Sequence, residues 1–250
     1  MSNLLLLAII AILAWYVAVP IMVRRTQRLA PKPLLRSILS DFAPPSVRAT
    51  FDASAKSLES LGFLYCFDAV TYDEVSNMRI YMRGLVHRQQ KIMALATALV
   101  AEEHQEQLLH AFLEMTSRFS DGTELCTYNS DLAGMPINNK RKICRGWQMI
   151  KEPKLLVRIH QFYLRKLVKK GGTPTLITEG EELSEVQNSL VTDLKEQEQM
   201  GGLFFDQDEQ CYRPTWAGAF LSAWYAMWPM SFLRRFYHNQ RARLWMRMYS

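Results

Sequence analysis

The sequence predicts an α+β protein in three parts: an N-terminal single transmembrane helix, an antiparallel sheet domain packed with helices, and a C-terminal aromatic and basic amphipathic helical segment. Three observations carry this reading. Residues 4–23, LLLLAIIAILAWYVAVPIMV, hold no charge and stop at Arg24-Arg25. From Phe63 the apolar period falls to two over successive runs, and beyond Pro229 arginines interleave with aromatic residues.

The uncharged run has the length of a helix crossing the roughly 30 Å hydrocarbon layer. Arg24, Arg25, Arg28, Lys32 and Arg36 follow it, whereas Met1, Ser2 and Asn3 carry no side-chain charge, so the positive-inside rule places the N-terminus outside and the bulk of the chain in the cytoplasm. A cleaved secretory signal fits less well. The start is uncharged, the apolar run is long, and Ala18-Val19 is followed by Pro20. The anchor is therefore assigned to residues 1–25. Residues 26–48 form a basic linker in which Pro31, Pro33, Pro44 and Pro45 forbid a long helix, and which is expected to lie against the bilayer surface.

Residues 49–172 read as the α+β domain. Helical spacing over 46–61 ends at Gly62, after which strands are predicted at 63–71, 79–88, 91–101, 108–120 and 123–129. The alanine-rich run at 91–101 has the composition of a helix but the place of a strand. Asp121-Gly122 suits a two-residue type I′ turn, which would set Phe119 against Glu124, Ser117 against Cys126 and Met115 against Tyr128 on an inward face. On the opposite face the same register pairs Arg118 with Leu125, Thr116 with Thr127 and Glu114 with Asn129. With His110, these form a polar sheet face: His110, Glu114, Thr116, Arg118 and Asn129. The ordinary reading of such a face is the solvated side of an antiparallel sheet.

Residues 131–152 read as a long irregular basic loop with Lys140, Arg141, Lys142 and Arg145. An amphipathic helix follows at 154–170, with Leu155, Leu156, Ile159, Phe162, Tyr163 and Leu167 on its apolar side. Residues 173–215 hold an acidic helix, opened by a Thr178/Glu181 capping box, and then a small hairpin. Helix, hairpin and helix in this order faintly suggest a winged-helix ending, but the acidic helix would repel phosphates, so no nucleic-acid partner is expected.

Residues 216–250 are assigned to the membrane interface. The run 216–233 is uncharged and aromatic, and Arg234, Arg235, Arg241, Arg243 and Arg247 follow it, so it is expected to dip into the bilayer or lie flat on it. Trp216, Trp224, Tyr225, Trp228, Arg234, Arg235, Arg241 and Trp245 are the expected interfacial residues, and the alternative is burial of residues 216–228 in a core.

Recognisable chemistry is absent from the sequence. His87, His104, His110, His160 and His238 show no metal-ligand spacing, and there is no GxSxG, phosphate-binding loop or glycine-rich dinucleotide turn. His160 reads as a satisfied structural histidine, and Asp68, Asp73 and Glu74 as a polar turn. Cys66, Cys126, Cys144 and Cys211 form no CxxC pair and read as buried thiols of a reducing compartment. No cofactor or metal is expected. The expectation is a membrane-anchored, non-catalytic binding subunit whose partners are a lipid bilayer with anionic head groups and a protein of a membrane complex. An enzyme acting on a lipid or lipid-linked substrate through His110 and Glu114 is the alternative.

Overall fold

The computed structural model describes residues 2–73, 78–101, 107–130 and 141–249, without the side chains of 2–4, 8–9, 11–12, 73 and 249. His104, Glu74, Lys140 and the loop segment 131–140 lie outside the described residues, as does the side chain of Asp73. The chain divides into two compact units, one built on Met1–Lys32 and Leu190–Arg234, the other on Pro33–Leu132, Asn139–Ser189 and Arg235–Ser250.

The larger unit is a helix-backed sheet. Among the described residues its strands are β1 (Arg36–Ser37), β2 (Leu64–Asp73), β3 (Met78–His87), β4 (Ile92–Ala101), β5 (Gln107–Phe119), β6 (Glu124–Tyr128) and β7 (Lys142–Gly146), in that spatial order, with β8 (Pro174–Thr175) paired to β5. Helices α2 (Pro45–Glu59) and α3 (Pro153–Val168) cover one face. On that face β4 presents Ala94, Ala96 and Ala98, all buried, and such short side chains let the helices approach closely. The alanines that looked helical are thus the floor beneath a helix layer, an example of packing overriding propensity.

Two expectations about the sheet are corrected. It is mixed: β6 and β7 run parallel, Leu125 beside Ile143 and Cys126 beside Cys144, so the basic stretch read as wholly irregular contributes an edge strand. The β5–β6 loop has three residues. Phe119 donates its N–H to the Thr123 carbonyl at 2.9 Å, Gly122 sits at φ +80°, and the Asp121 carboxylate accepts the Thr123 N–H at 2.8 Å. This geometry is that of a type I turn followed by a left-handed glycine. The shift by one residue reverses the faces of β6. Arg118 pairs with Glu124, Thr116 with Cys126 and Glu114 with Tyr128, while Ser117 and Met115 face Leu125 and Thr127.

Asp68 is no part of a polar turn. It lies buried in mid-strand beneath α2, gripped by Arg83 through Nε to Oδ1 at 2.7 Å and Nη2 to Oδ2 at 2.8 Å, and it accepts a third bond from Ser40 at 2.8 Å. Arg83 also reaches Asp52 on α2 at 2.6 Å and lies over the Phe51 and Tyr65 rings. These carboxylates hold the guanidinium's pKa well above its ordinary value.

The smaller unit holds α1 (Ser2–Thr26), α5 (Trp216–Ala226), the β9 (Leu203–Asp206) and β10 (Cys211–Pro214) hairpin, and the later part of α4 (Glu182–Gln199). Leu194, Leu203 and Tyr212 form its small core with Leu29 and Phe205. Thr215 caps α5 by accepting the Gly218 N–H at 3.0 Å, and Gly218 must be glycine because a Cβ there would run into the Gly202 carbonyl oxygen.

The transmembrane reading is corrected here. Among the described residues no helix is long and apolar enough to cross a membrane, so the single-pass anchor, its sidedness and the membrane localisation drawn from it are withdrawn. The C-terminal half of α1 ends in Arg24-Arg25. This part is also engaged within its own unit. Tyr16 meets the Trp224 ring of α5 at 6.3 Å, and Arg24 bonds the Pro214 carbonyl at 2.7 Å while lying over the Trp216 and Phe204 rings. Residues 216–233 break where a proline would interrupt a helix: α5 stops at Ala226 and α6 (Met230–Tyr249) begins beyond Pro229.

Removing one partner of the buried ion pair strands the other. Asp68→Ala is expected to lower unfolding stability by about 3 kcal/mol, whereas Asp52→Asn, at the exposed end of the network, should cost less than about 1 kcal/mol. Urea midpoints of the two variants check this, and equal losses would contradict the assignment.

Candidate functional site

The residues singled out on β5 lie on the sheet face away from α2 and α3, and the structure ties each of them to a neighbour. His110 Nε2 stands 3.0 Å from Ser130 Oγ, and Thr116 donates to Glu114 at 3.4 Å. Asn129 turns its side-chain oxygen to the Leu113 N–H at 2.7 Å, so it closes the ladder instead of pairing with Glu114. Arg118 pairs with Glu124 at 3.4 Å and with Glu185, and also bonds the Glu185 carbonyl at 3.0 Å; Lys142 meets Glu124 at 3.4 Å.

A strap over residues 174–185 crosses this face. Lys91 bonds the Pro174 carbonyl at 2.8 Å, Arg88 bonds the Ile177 carbonyl at 2.8 Å, and Arg88 also pairs with the buried Glu182. Beneath the strap lies a depression lined by Val86, Met93, Thr116, Arg118 and Leu176 among others, holding about 10 Å³, room for a single water molecule. A substrate-sized ligand needs several hundred Å³. His110 and Glu114 do not line that depression, and the bonds described for them run to Ser130 and Thr116.

Among the described residues the most enclosed titratable group is His160 on α3, fully buried between the helix and the sheet. Ser117 Oγ donates to the Lys91 carbonyl at 2.9 Å and so is left to accept from His160 Nε2 at 3.0 Å. Nδ1, at 3.0 Å from Thr127 Oγ1, then accepts the threonine hydroxyl proton. Both ring nitrogens are satisfied in the neutral form, and burial pushes the pKa down from 6.5 to about 3. Among the described residues no group of three or more His, Cys, Asp or Glu side chains is placed to hold a metal ion.

The residues expected at a membrane interface fall into different environments. In the smaller unit Trp216, Phe220, Trp224 and Trp228 are exposed and Tyr225 is half-buried. Arg234 is half-buried and Arg235 exposed. Trp245 is in the core of the larger unit, 5.0 Å from the Phe162 ring and 6.3 Å from Trp147, and only 7% exposed, so it is not available to an interface. Arg241 lies against the same cluster. Its guanidinium is over Trp147 and Tyr237 and donates to the Tyr163 hydroxyl at 2.8 Å. What that inward face of α6 leaves outside is a strip in which Phe236, Leu244 and Met248 lie beside Arg235, Arg243 and Arg247, all exposed.

Sequence reasoning missed one constellation here. Cys126 and Cys144 are direct partners across the parallel β6–β7 pair, with Cys126 buried and Cys144 exposed, although all four cysteines had been read as buried thiols. Their spacing of 18 residues has no motif value, and only recognition of β7 as a strand would have joined them.

Because His160 is neutral when folded and titrates normally when unfolded, the unfolded chain binds the extra proton between pH 6.5 and about 3. Its stabilising contribution is complete above pH 6.5 and is lost on acidification through that window, with a slope of up to about 1.4 kcal/mol per pH unit. Denaturant titrations at a series of pH values should show this component vanish in His160→Gln, and an unchanged slope would contradict it.

No protein-family model, curated protein or solved structure matches the chain.

Proposed function

We propose that the chain is a non-catalytic binding subunit and that the outer strip of α6 recruits an acidic, amphipathic segment of a partner protein. The observation that carries this is the composition of the strip. Leu244 and Met248 are 58% and 63% exposed, and beside them stand Arg243 and Arg247 at helical spacing. An apolar row left in solvent beside a basic row suits a helix that carries the complementary pattern, with buried apolar area supplying affinity and charge supplying orientation. No acidic residue occurs in residues 230–250, so the strip cannot neutralise itself along its own helix.

The opposite side of α6 supports the same reading. Ala242 and Trp245 fix the helix to the core, so the strip is held rigid before any partner arrives, which lowers the ordering cost of binding. On the sheet, the polar groups that chemistry would use are engaged with one another, and the depression beneath the strap is too small for a substrate.

A synthetic helical peptide with leucine on one face and glutamate on the other is a direct probe, read by fluorescence anisotropy with the whole chain. Reversing both charges, Arg243→Glu with Arg247→Glu, should weaken binding about tenfold, as expected for two partly screened ion pairs. Equal binding by the doubly reversed chain, or binding to anionic phospholipid vesicles with none to the peptide, would contradict the proposal.

A further inference from the structure

Cys126 and Cys144 occupy partnered positions on neighbouring strands, and their side chains lie on one face of the sheet, in a row with Thr116. Adjacent strands run about 4.8 Å apart, inside the Cα separation that a disulfide spans. Direct partnering across the pair therefore sets the two thiols side by side. Their environments differ in a way that assigns roles. Cys126 is buried, and the neighbouring Cys144, its burial and the Glu114 charge hold its thiol protonated well above the ordinary pKa. Cys144 is exposed on the edge strand, with Lys142 two residues away on the same face. An exposed thiol there meets oxidant more readily than the buried Cys126.

We infer that Cys144 and Cys126 form a dithiol site for small hydroperoxides, with Cys144 as the attacking sulfur and Cys126 as the resolving one. The Cys144 thiolate attacks the distal peroxide oxygen, the O–O bond breaks, and the leaving alkoxide or hydroxide takes up a proton. Cys144 is then a sulfenic acid. The Cys126 sulfur attacks that sulfur, the S–S bond forms, and water departs carrying the Cys126 proton. In sum, two thiols and one hydroperoxide give one disulfide, one water and one alcohol or second water, with two electrons passing from sulfur to oxygen. The disulfide fastens the edge strand β7 to β6 through what is, among the described residues, the one parallel pairing of the sheet.

The test is peptide mapping by mass spectrometry of the intact chain after exposure to stoichiometric hydrogen peroxide, acid quenching and alkylation. The expected product is one in which Cys126 and Cys144 are joined within a single chain, Cys66 and Cys211 remain alkylated thiols, and dithiothreitol restores all four thiols. In Cys126→Ser, a dimedone adduct should accumulate at Cys144, because the resolving sulfur is gone. In Cys144→Ser, Cys126 should stay reduced. Recovery of both residues as thiols while Cys66 or Cys211 is oxidised would overturn the inference. So would a disulfide found only between chains. The wild-type map decides the matter even if neither variant folds.

Discussion

A single imidazole, closed off from water, fixes how the helix layer meets the sheet. His160 reaches from α3 to Ser117 on β5 and Thr127 on β6, and Ser117 reaches on to the carbonyl of Lys91 at the β3–β4 turn. Buried polar groups are tolerated only when every donor finds an acceptor. That condition is met by one tautomer and by one register of β5 against β6. In the register that a two-residue turn would have produced, Thr127 would face away from α3 and the imidazole would lose a partner. The three-residue loop at Asp121-Gly122 and the histidine on a helix over thirty residues later therefore depend on the same pairing.

The same economy runs through the rest of the larger unit. Arg83 and Asp68, which would be intolerable singly under α2, satisfy one another and bring Ser40 and Asp52 to the same point. On the other face Arg118, Glu124, Glu185 and Lys142 are mutually paired, and Arg88 and Lys91 hold the strap. These pairings hold the strap and the sheet edge together. The outward strip of α6 differs, because its exposed leucine and methionine side chains have no counterpart on the helix itself and its arginines have no acid nearby in sequence.

How far the sequence revealed this depended on whether the cause was local. The strands β2 to β6 and the helix α3 were legible because alternation and amphipathic spacing are local consequences of which face is buried. The hairpin register was not, since Asp-Gly fits loops of two or three residues and the choice is made by the distant His160. Strand β7 was hidden in a basic stretch, because its pairing is parallel and comes from a segment separated in sequence from β6. The apolar run at the N-terminus pointed to a membrane span, which its hydropathy alone suggests, whereas the Tyr16–Trp224 contact and the Arg24 bond to Pro214 needed the fold to be visible. Trp245 was read as interfacial from its arginine neighbours, whereas its i−3 neighbour Ala242 marks the inward side of α6. Among the site residues, His110 and Glu114 share one face of β5, as their even spacing implies. The cysteine pair carried no sequence signal.

The account stands on His160 being a structural group and not an acid or base available to a reaction, and nitrogen-15 NMR of the labelled imidazole examines that directly. From pH 7.5 down to about 4.5 the account predicts fixed shifts of the neutral Nε2–H tautomer. A titration with a midpoint near 6.5, or a shift to the Nδ1–H form, would contradict it and return this histidine to the groups that could carry chemistry.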